Sequence, residues 1–240
     1  MAKAAVKRAG AKNAAAPSTR KPRQGGLVDG GTLTDRAYRE LEELIATLQL
    51  PPGTVLSELA LVQRLNIGRT PIREALQRLA RDGLVVVLPR RGVLVSEINL
   101  RTQLRLLEVR RVLERLMAEM AAERARDEEC EQFAELAKGM RRTAETADDI
   151  EFMRLDRELN LLIAEAARNE FAARSMGLMH ALSRRFWYQH YKRAADLPLA
   201  ANLHAQLADA IAQRAGKRAG DASDKLIDYI ESFARKTLDT

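Results

Sequence analysis

The sequence predicts a mainly α-helical protein in two parts: an N-terminal winged helix-turn-helix with a small β-hairpin wing, and a C-terminal all-α helical bundle. Residues 56–92 contain two short amphipathic segments, a turn and a basic hairpin pattern. Beyond residue 97, long amphipathic segments follow one another, and the whole chain has only five Phe, four Tyr and one Trp. Such a composition is typical of helices that pack through aliphatic residues. At 240 residues the chain suits two modest domains.

Residues 1–28 are expected to form a disordered basic arm. They mix Ala, Lys, Arg, Gly and Pro without periodicity and cannot bury a stable core. Seven cationic side chains precede the first acid, Asp29, and they account for the whole formal charge of +7. The arm could add non-specific affinity for DNA or be a solvated extension, and the sequence leaves both readings open.

The composition also restricts where the protein works. Cys130 is the only cysteine, which excludes an intramolecular disulfide and suits a reducing compartment. No apolar run approaches the length of a membrane span or of a signal-peptide core. We therefore expect a cytoplasmic protein that makes no membrane contact.

The first ordered element is predicted to be a helix over about residues 35–48, capped by Thr34 and ended by Pro51-Pro52-Gly53. Its apolar face would consist of Tyr38, Leu41, Ile45 and Leu48. Its other side carries the acids Glu40, Glu42 and Glu43. These acids would repel phosphates, so we expect that side to face away from DNA.

A helix-turn-helix is predicted within residues 56–92. Ser57 can cap its first helix, whose apolar positions are Leu59, Leu61, Val62 and Leu65. Asn66-Ile67-Gly68 suits a tight turn, and Thr70-Pro71 has the pattern of a cap and first position of the second helix. One face of that helix is apolar, with Ile72, Ala75, Leu76 and Leu79. Thr70, Arg73 and Gln77 lie away from this face, and Arg69 precedes it.

A basic wing is predicted to follow. Two β-rich runs, 84–88 and 93–95, flank a turn that contains Arg90, Arg91 and Gly92. Between residues 64 and 91, seven arginines accompany only two acids, a local surplus that marks a phosphate-binding face. A recognition helix reads bases near its N-terminus, with Arg for guanine and Gln for adenine. The alternative is that these arginines only solvate a surface, but helix, turn and wing agree on DNA binding.

Six further helices are expected after a junction at residues 96–99. Their predicted ranges are 99–126, 128–146, 148–168, 169–194, 198–215 and 221–238. The first would pack through Leu106, Val109, Leu113, Leu116 and Met120, which alternate steps of three and four. Junctions are marked by capping or helix-breaking residues, including Gly220. We therefore predict a DNA-binding domain over residues 29–97 and a helical domain over residues 98–240.

Two stretches resemble known regulators. Residues 34–97 resemble the DNA-binding domain of the GntR family of bacterial transcription regulators, through LxLPPGTxLSExxLxxxLxIxRTPxREALxRLxxxGLVxxxPxRGxxV. The bundle resembles the FCD domain, named after the FadR C-terminal domain, through the segment LEVRRVLE and through Asp156, Asn169 and His204. Membership would imply a homodimer that binds a palindromic operator on double-stranded DNA, usually as a repressor, and responds to a small organic acid.

The resemblance assigns DNA contacts residue by residue. These would come from Arg69, Thr70 and Arg73 on the recognition helix and from Arg90, Arg91 and Gly92 on the wing, with Gln77 as a further exposed candidate. Two departures limit the set of contacts. Leu59 stands where many relatives have a DNA-contacting arginine, and Gly68 replaces the usual Ser or Thr.

The effector site matches its family only in part. Most FCD domains hold a metal with an Asp and a His four residues apart and two later His residues. Here Asp156 is followed at that spacing by Asn160, and His204 matches the third ligand, while Tyr229 stands in place of the last His. A divalent metal at Asp156 and His204 is one expectation. The other is a metal-free cavity in which these four residues bind the effector.

Arg110 is a further effector candidate, because it flanks the inward face of the first bundle helix and arginine matches a carboxylate in two-point geometry. A salt bridge to a neighbouring helix would explain it equally well. His180 and His190 match no position of the family's site, and a lone His is more often a structural residue.

Three functions are compared. The favoured one is a ligand-responsive transcription regulator. The second is a ligand-independent repressor or architectural DNA-binding protein whose pocket is degenerate. The third, a metal-dependent enzyme, is disfavoured because the chain has three histidines in all, no paired Cys nucleophile and no Gly-rich phosphate loop. We therefore expect a protein that is not an enzyme.

Overall fold

A computed structural model describes residues 31–90 and 92–238, and these contain a small sheet and a series of α-helices. In chain order the elements are α1 (Leu33–Ala46), β1 (Val55–Leu56), α2 (Glu58–Leu65), α3 (Arg69–Arg81), β2 (Val85–Leu88), β3 (Gly92–Val95), α4 (Leu100–Arg124), α5 (Asp127–Thr146), α6 (Asp149–Ala166), α7 (Glu170–Ala194), α8 (Leu197–Ala212) and α9 (Gly216–Lys236). The predicted winged helix-turn-helix and helical bundle are confirmed. The predicted basic arm, residues 1–28, lies outside the described residues.

Helix α1 begins two residues earlier than predicted because its cap is Thr32 and not Thr34. Asp35 N donates to the Thr32 hydroxyl, and Thr32 N donates to the Asp35 carboxylate, both at 3.1 Å. This reciprocal pair satisfies two backbone donors that a helix start leaves open. The Thr34 hydroxyl instead donates to Glu74 on α3 at 2.6 Å. Leu48 lies beyond the helix and has a left-handed backbone.

The helix-turn-helix consists of α2 and α3. Ser57 caps α2 as predicted, accepting from Ala60 N at 3.4 Å, and Asn66 adopts the expected left-handed conformation with φ of 52°. The start of α3 differs from the prediction, because Gly68 occupies the cap position and Thr70 lies inside the first turn. The predicted apolar face of α3 is buried against α1 and the wing, through Ile72, Ala75, Leu76 and Leu79.

The wing belongs to a three-stranded antiparallel sheet with the strand order β1-β3-β2. Val55 of β1 pairs with Leu94, and Leu88 of β2 pairs with Gly92 across the wing tip. The hairpin of β2 and β3 was predicted, whereas β1 was not. A two-residue strand is too short for an alternating pattern to reveal it.

Helix α9 begins at Gly216, five residues earlier than predicted, and Gly220 lies inside it rather than at a junction. Gly220 is buried where α9 packs on α4. A Cβ at this position would stand 2.3 Å from Oε1 of Glu119. The glycine therefore permits close approach of two helices instead of ending one.

Helix α4 buries a different face from the predicted one. Of the five residues expected to pack inward, Val109 and Leu116 are exposed. The other three, Leu106, Leu113 and Met120, are partly buried against the bundle core. The buried face includes the polar residues Gln103 and Arg110. Hydrophobic periodicity treats polar residues as outward facing and so misassigns a helix whose polar side chains border an internal cavity.

Helix α7 contacts both parts of the molecule. Ala181 is fully buried in the core of the winged helix, whereas the Ser183 hydroxyl accepts from Gln103 of α4 at 2.8 Å. Arg185 donates to the Ser96 hydroxyl at 2.9 Å and also to the Ser96 carbonyl, in the segment that joins β3 to α4. Burial lowers the pKa of Arg185 to about 10. The middle of α7 therefore ties the bundle to the winged helix.

None of the described helices has the length and apolar character needed to cross a membrane.

Candidate DNA-binding surface and effector cavity

The predicted recognition residues lie on the solvent side of α3. Arg69, Thr70, Arg73 and Gln77 are all exposed. Arg69 is the first residue of the helix, so its side chain and the free backbone amides of the first turn share the end that favours an anion. Arg73 Nε lies 2.7 Å from Glu58 Oε2 on α2, which joins the two helices of the motif by an exposed ion pair.

The wing tip places two further candidates in solvent. Arg90 is exposed and has a left-handed backbone with φ of 63°, and Gly92 has φ of 93°. This geometry makes a tight turn between β2 and β3, for which a glycine at residue 92 is suited. Arg91, the third predicted wing contact, lies outside the described residues.

One arginine of the predicted basic surplus faces away from the recognition surface. Arg78 stacks on the ring of Tyr38 in α1, with 3.8 Å between the guanidinium carbon and the ring centroid. Its Nη1 also lies 3.3 Å from Asp35. The phosphate-binding face therefore has fewer arginines than the seven counted along the chain, because Arg78 is not part of it.

The bundle encloses a cavity of about 90 Å³ between α4, α6, α7, α8 and α9. A volume of this kind holds roughly six water molecules, or a small organic molecule in their place. All five effector candidates from the sequence border it: Arg110, Asp156, Asn160, His204 and Tyr229. Apolar and aromatic side chains form most of the remaining wall, including Met117, Phe152, Met176, Phe186, Trp187 and Phe233.

Asp156 and His204 form a buried pair in the cavity wall. His204 Nε2 lies 3.1 Å from Asp156 Oδ1, and His204 Nδ1 lies 2.7 Å from the Ala200 carbonyl. Burial alone would lower the pKa of His204 and raise that of Asp156, but their mutual contact reverses both shifts. Asn160 Nδ2 donates to the same carboxylate oxygen at 3.0 Å. The contact therefore favours the charged forms of both side chains.

The donor set around His204 does not fit a transition metal. A zinc site needs at least three protein donors, and no group of three or more His, Cys, Asp or Glu with metal-binding geometry occurs among residues 31–90 and 92–238. The hydroxyl of Tyr229, in the place of the family's last His, donates to the Asp196 carbonyl at 2.9 Å and accepts from Asp196 N at 3.0 Å. The Tyr229 hydroxyl therefore already has hydrogen-bond partners at the start of α8.

Arg110 is held by its own helix. Its Nε lies 2.6 Å from Glu114 Oε1, one turn along α4, and its Nη1 donates to the Ser183 hydroxyl. Burial alone would raise the pKa of Glu114, but the charges of Arg110 and neighbouring His180 lower it to about 2. Arg110 thus already has a carboxylate partner, although on α4 and not on the neighbouring helix considered from the sequence.

The structure adds cavity residues that the sequence did not identify. The polar ones are Gln103, Glu114, His180, Ser183, Arg184, Tyr188 and Ser223. His180, set aside for lack of a family match, borders the cavity. The His190 ring instead packs at a tilt against the Phe186 ring, with 4.6 Å between the ring centroids. Trp187 Nε1 and Ser223 Oγ are buried and have no hydrogen-bond partner among the described residues. The concentration of aromatic residues at 186–191 was the available signal, because aromatic clusters line many ligand sites.

Arg184 connects the cavity to the winged helix. It borders the cavity, while its Nη1 and Nη2 donate to the Glu43 carboxylate of α1 at 3.1 Å. Burial alone would lower the pKa of Arg184, but the contact with Glu43 raises it overall. Glu43 also lies 3.9 Å from Arg157 of α6. The acidic side of α1, expected to avoid DNA, thus has Glu43 against the bundle.

Comparison with known proteins matches both parts of the chain. The gntR family of bacterial regulatory proteins matches residues 33–95, and the FCD domain matches residues 105–229, which is just over half of the chain. The HTH-type transcriptional repressor RspR of Escherichia coli (strain K12) is 25% identical over 204 residues, covering 85% of this chain and 90% of the relative. An HTH-type transcriptional regulator from an unstable DNA locus of Streptomyces ambofaciens is 41% identical over 71 residues, 30% of each chain.

Solved structures agree on the fold. E. coli McbR/YncC superposes with a TM-score of 0.76 at 18% identity, covering 87% of this chain and 99% of that one. A GntR transcriptional regulator from Rhodococcus sp. RHA1 gives a TM-score of 0.61 at 20% identity, covering 86% and 98%. The chain therefore belongs to the GntR family of bacterial regulatory proteins, in the group that carries an FCD domain, and is a DNA-binding transcription regulator.

Proposed function

We propose that the protein is a homodimeric repressor that binds a palindromic operator and changes its operator affinity when a small organic acid enters the bundle cavity. The recognition surface would be formed by Arg69, Thr70, Arg73 and Gln77 with the wing residues Arg90, Arg91 and Gly92. Arginines suit guanine and phosphate, and Gln77 suits adenine. The relative RspR, which is named a transcriptional repressor, supports the sign of regulation. Regulation of DNA would place the protein in the cytoplasm.

The observation that carries the effector proposal is a cavity in the bundle whose lining residues include two buried polar donors without partners. Trp187 Nε1 can only donate a hydrogen bond, and Ser223 Oγ can donate one, yet neither has a partner among the described residues. An unpaired buried polar group costs about 1–3 kcal/mol. A ligand rich in acceptor oxygens would satisfy both groups, and Arg110, Asn160 and His204 in the same wall would fix its orientation.

Dimerisation would use the exposed apolar residues of the bundle. Val109, Val112 and Leu116 recur along the outer side of α4, with 51%, 67% and 38% of their surface exposed. Phe171 and Leu178 are exposed on α7, which packs against α4. A second copy of the chain would cover such a face and place two recognition helices about one DNA turn apart.

We propose that the cavity works without a divalent metal. Asp156 and His204 are the only pair of suitable donors from the family's set, and the charge of each is already balanced by the other. Elemental analysis of purified protein after dialysis checks this. One equivalent of zinc or nickel per chain would contradict it.

The central test is footprinting on the DNA that flanks the protein's own gene, with and without acetate, lactate or malonate. We expect a protected palindrome whose protection changes with one of the acids but not with acetamide, lactamide or malonamide, their neutral counterparts. A thermal-shift measurement should show the same acid raising the melting temperature, because a ligand that binds only the folded state stabilises it by mass action.

The same experiment tests the ligand-independent alternative. A regulator with a degenerate pocket would give a footprint that no acid alters and a melting temperature that no acid raises. The unpaired donors in the cavity favour the ligand-responsive form.

A further inference from the structure

Two ion pairs lie within the cavity wall, and a further arginine of the wall has its carboxylate partner elsewhere. Arg110 is paired with Glu114 at 2.6 Å, and His204 with Asp156 at 3.1 Å, and all four residues border the cavity. Arg184 also borders it, but the carboxylate that it contacts belongs to Glu43 in α1, which does not. Of the two arginines that border the cavity in the described part of the chain, Arg184 is therefore the one whose carboxylate partner lies outside the wall.

Arg184 is placed to bind an anion. Only 17% of its side chain is exposed, against 40% for Glu43, so water screens it weakly on the cavity side. Asp156 attracts it at longer range but is already neutralised by His204. A guanidinium binds a carboxylate most strongly by two parallel hydrogen bonds. An acid that enters the cavity thus has Arg184 as its natural partner.

Both terminal nitrogens of Arg184 already donate to Glu43. Each terminal nitrogen has two N–H groups, so the guanidinium still has donors for an acid while Glu43 stays bound. The two carboxylates would then repel each other, and they would compete for one positive charge. This competition links binding of a ligand in the cavity to the strength of the contact between the bundle and α1.

We infer that Arg184 is the carboxylate-binding residue of the cavity and that the acid binds it at the expense of Glu43, which loosens α1 and changes DNA binding. The inference rests on the proposed acid ligand. It selects a small acid in which one carboxylate meets Arg184, and it favours an acid with further acceptor oxygens that reach Trp187 Nε1 and Ser223 Oγ.

The surroundings of Arg184 give the change a physical route. Ala181 and Leu182, one turn earlier on α7, pack in the core of the winged helix. Arg185, the next residue, holds both the hydroxyl and the carbonyl of Ser96. A shift of α7 at residue 184 thus acts on α1 and on the linker through continuous contacts.

Linkage fixes the direction of the test. If the acid weakens the contact between Arg184 and Glu43, then Glu43 must weaken acid binding by the same factor. Removing the Glu43 carboxylate should therefore tighten acid binding, which is the opposite of what a merely structural contact predicts.

The experiment uses two readouts that need no operator. Trp187 is the only tryptophan and borders the cavity, so its fluorescence reports binding of acetate, lactate or malonate. The rate of backbone hydrogen exchange in residues 33–46 reports how strongly the contact with the bundle stabilises α1. In the unmodified protein, the acid that binds should speed this exchange.

Four variants separate the contributions. Glu43→Gln should bind the acid roughly fivefold more tightly, and its α1 should exchange quickly whether or not acid is present. Arg184→Gln should lose acid binding, with Arg184→Lys, which keeps the charge, recovering part of it. Arg157→Gln is the matched control, because it removes the other cation near Glu43 without altering the cavity, and its acid affinity should stay within about twofold.

The outcomes separate the two proposals. If none of the three acids changes the Trp187 fluorescence of the unmodified protein, the acid-binding function fails and the inference falls with it. If an acid binds but Glu43→Gln leaves both its affinity and the exchange response unchanged, the function stands and the role of Arg184 is overturned. Tighter binding in Glu43→Gln together with an acid-insensitive α1 supports both.

Discussion

The recognition helix and the bundle cavity both pair arginines with glutamates, but the pairs differ in their contact with water. The Arg73 side chain is 62% exposed and that of its partner Glu58 37%, whereas the Arg110 and Glu114 side chains are 8% and 13% exposed. An exposed pair contributes about 0–1 kcal/mol, while losing one partner of a buried pair leaves a charge that water cannot reach. Arg73 of the surface pair can therefore exchange its carboxylate partner for a DNA phosphate. The buried pair instead stabilises the cavity wall.

Arg184 and Glu43 lie between these extremes. The arginine is largely buried and the glutamate is half exposed, so one end of the pair faces the cavity and the other faces solvent at the edge of α1. A contact that is neither easily exchanged nor fixed is suited to respond to a ligand. The three pairs therefore suit different roles according to their burial. The exposed pair suits DNA contact, the partly buried pair suits a response to a ligand, and the buried pair suits structural support.

Breaking the buried pair should have the largest effect. Arg110→Ala leaves Glu114 without its guanidinium partner, and we expect the free energy of unfolding to fall by about 3–5 kcal/mol. His180, whose Nε2 lies 3.6 Å from Glu114 Oε1, should keep the loss towards the lower end. Urea denaturation measures it. Arg154→Ala, which breaks the ion pairs with Glu151 and Glu158 on the surface of α6, is the control and should cause no measurable loss. Equal losses of stability in the two variants would contradict the contrast between buried and exposed ion pairs.

The buried pair should also appear in the pH dependence of stability. The pKa of Glu114 is lowered to about 2 in the folded protein, against an ordinary value of 4.5. Its contribution is therefore complete above about pH 5 and is lost as the pH falls from 4.5 towards 2, a change of about 3 kcal/mol. Subtracting the stability of Glu114→Gln from that of the unmodified protein at each pH isolates this carboxyl. A difference that stays constant from pH 6 to pH 3 would show that Arg110 and His180 do not hold Glu114 ionised.

At the recognition helix the expected loss is in DNA binding and not in stability. Arg73→Ala should weaken operator binding by about 1–3 kcal/mol and relax the preference at one base pair. Arg78→Ala is the control on the same helix, because Arg78 stacks on Tyr38 and faces α1. Its operator affinity should stay within about twofold. Fluorescence anisotropy with labelled operator measures both, and unchanged affinity and base preference for Arg73→Ala would exclude this face as the reading surface.

The two regions also differ in how far the sequence predicts them. The recognition helix follows from local chemistry: Ser57 caps α2, Asn66 takes the left-handed turn, and Ile72, Ala75, Leu76 and Leu79 share the buried face. Each of these relations spans a few residues. Even here the start of α3 was misplaced, because Gly68 offers no side-chain cap for a pattern to recognise.

The cavity depends on contacts between residues far apart in the chain. The resemblance identified Asp156, Asn160, His204 and Tyr229, all of which border it. It could not identify Arg184, because the significance of that residue comes from Glu43, 141 positions away. Polar residues on the inner side of α4 also misled the hydrophobic pattern, which pointed to Val109 and Leu116 instead.

The smallest expected effect is at the exposed pair itself. Glu58→Gln removes the carboxylate that holds Arg73 Nε and one negative charge beside the recognition helix. If Glu58 and DNA phosphate compete for Arg73, operator affinity should rise by up to about fivefold, and the gain should shrink as salt increases. Glu40→Gln, which breaks an exposed pair with Arg36 on α1, should leave affinity unchanged. A fall in affinity for Glu58→Gln would mean that Glu58 positions Arg73 for a base, and the exposed pair would then act as a support despite its contact with water.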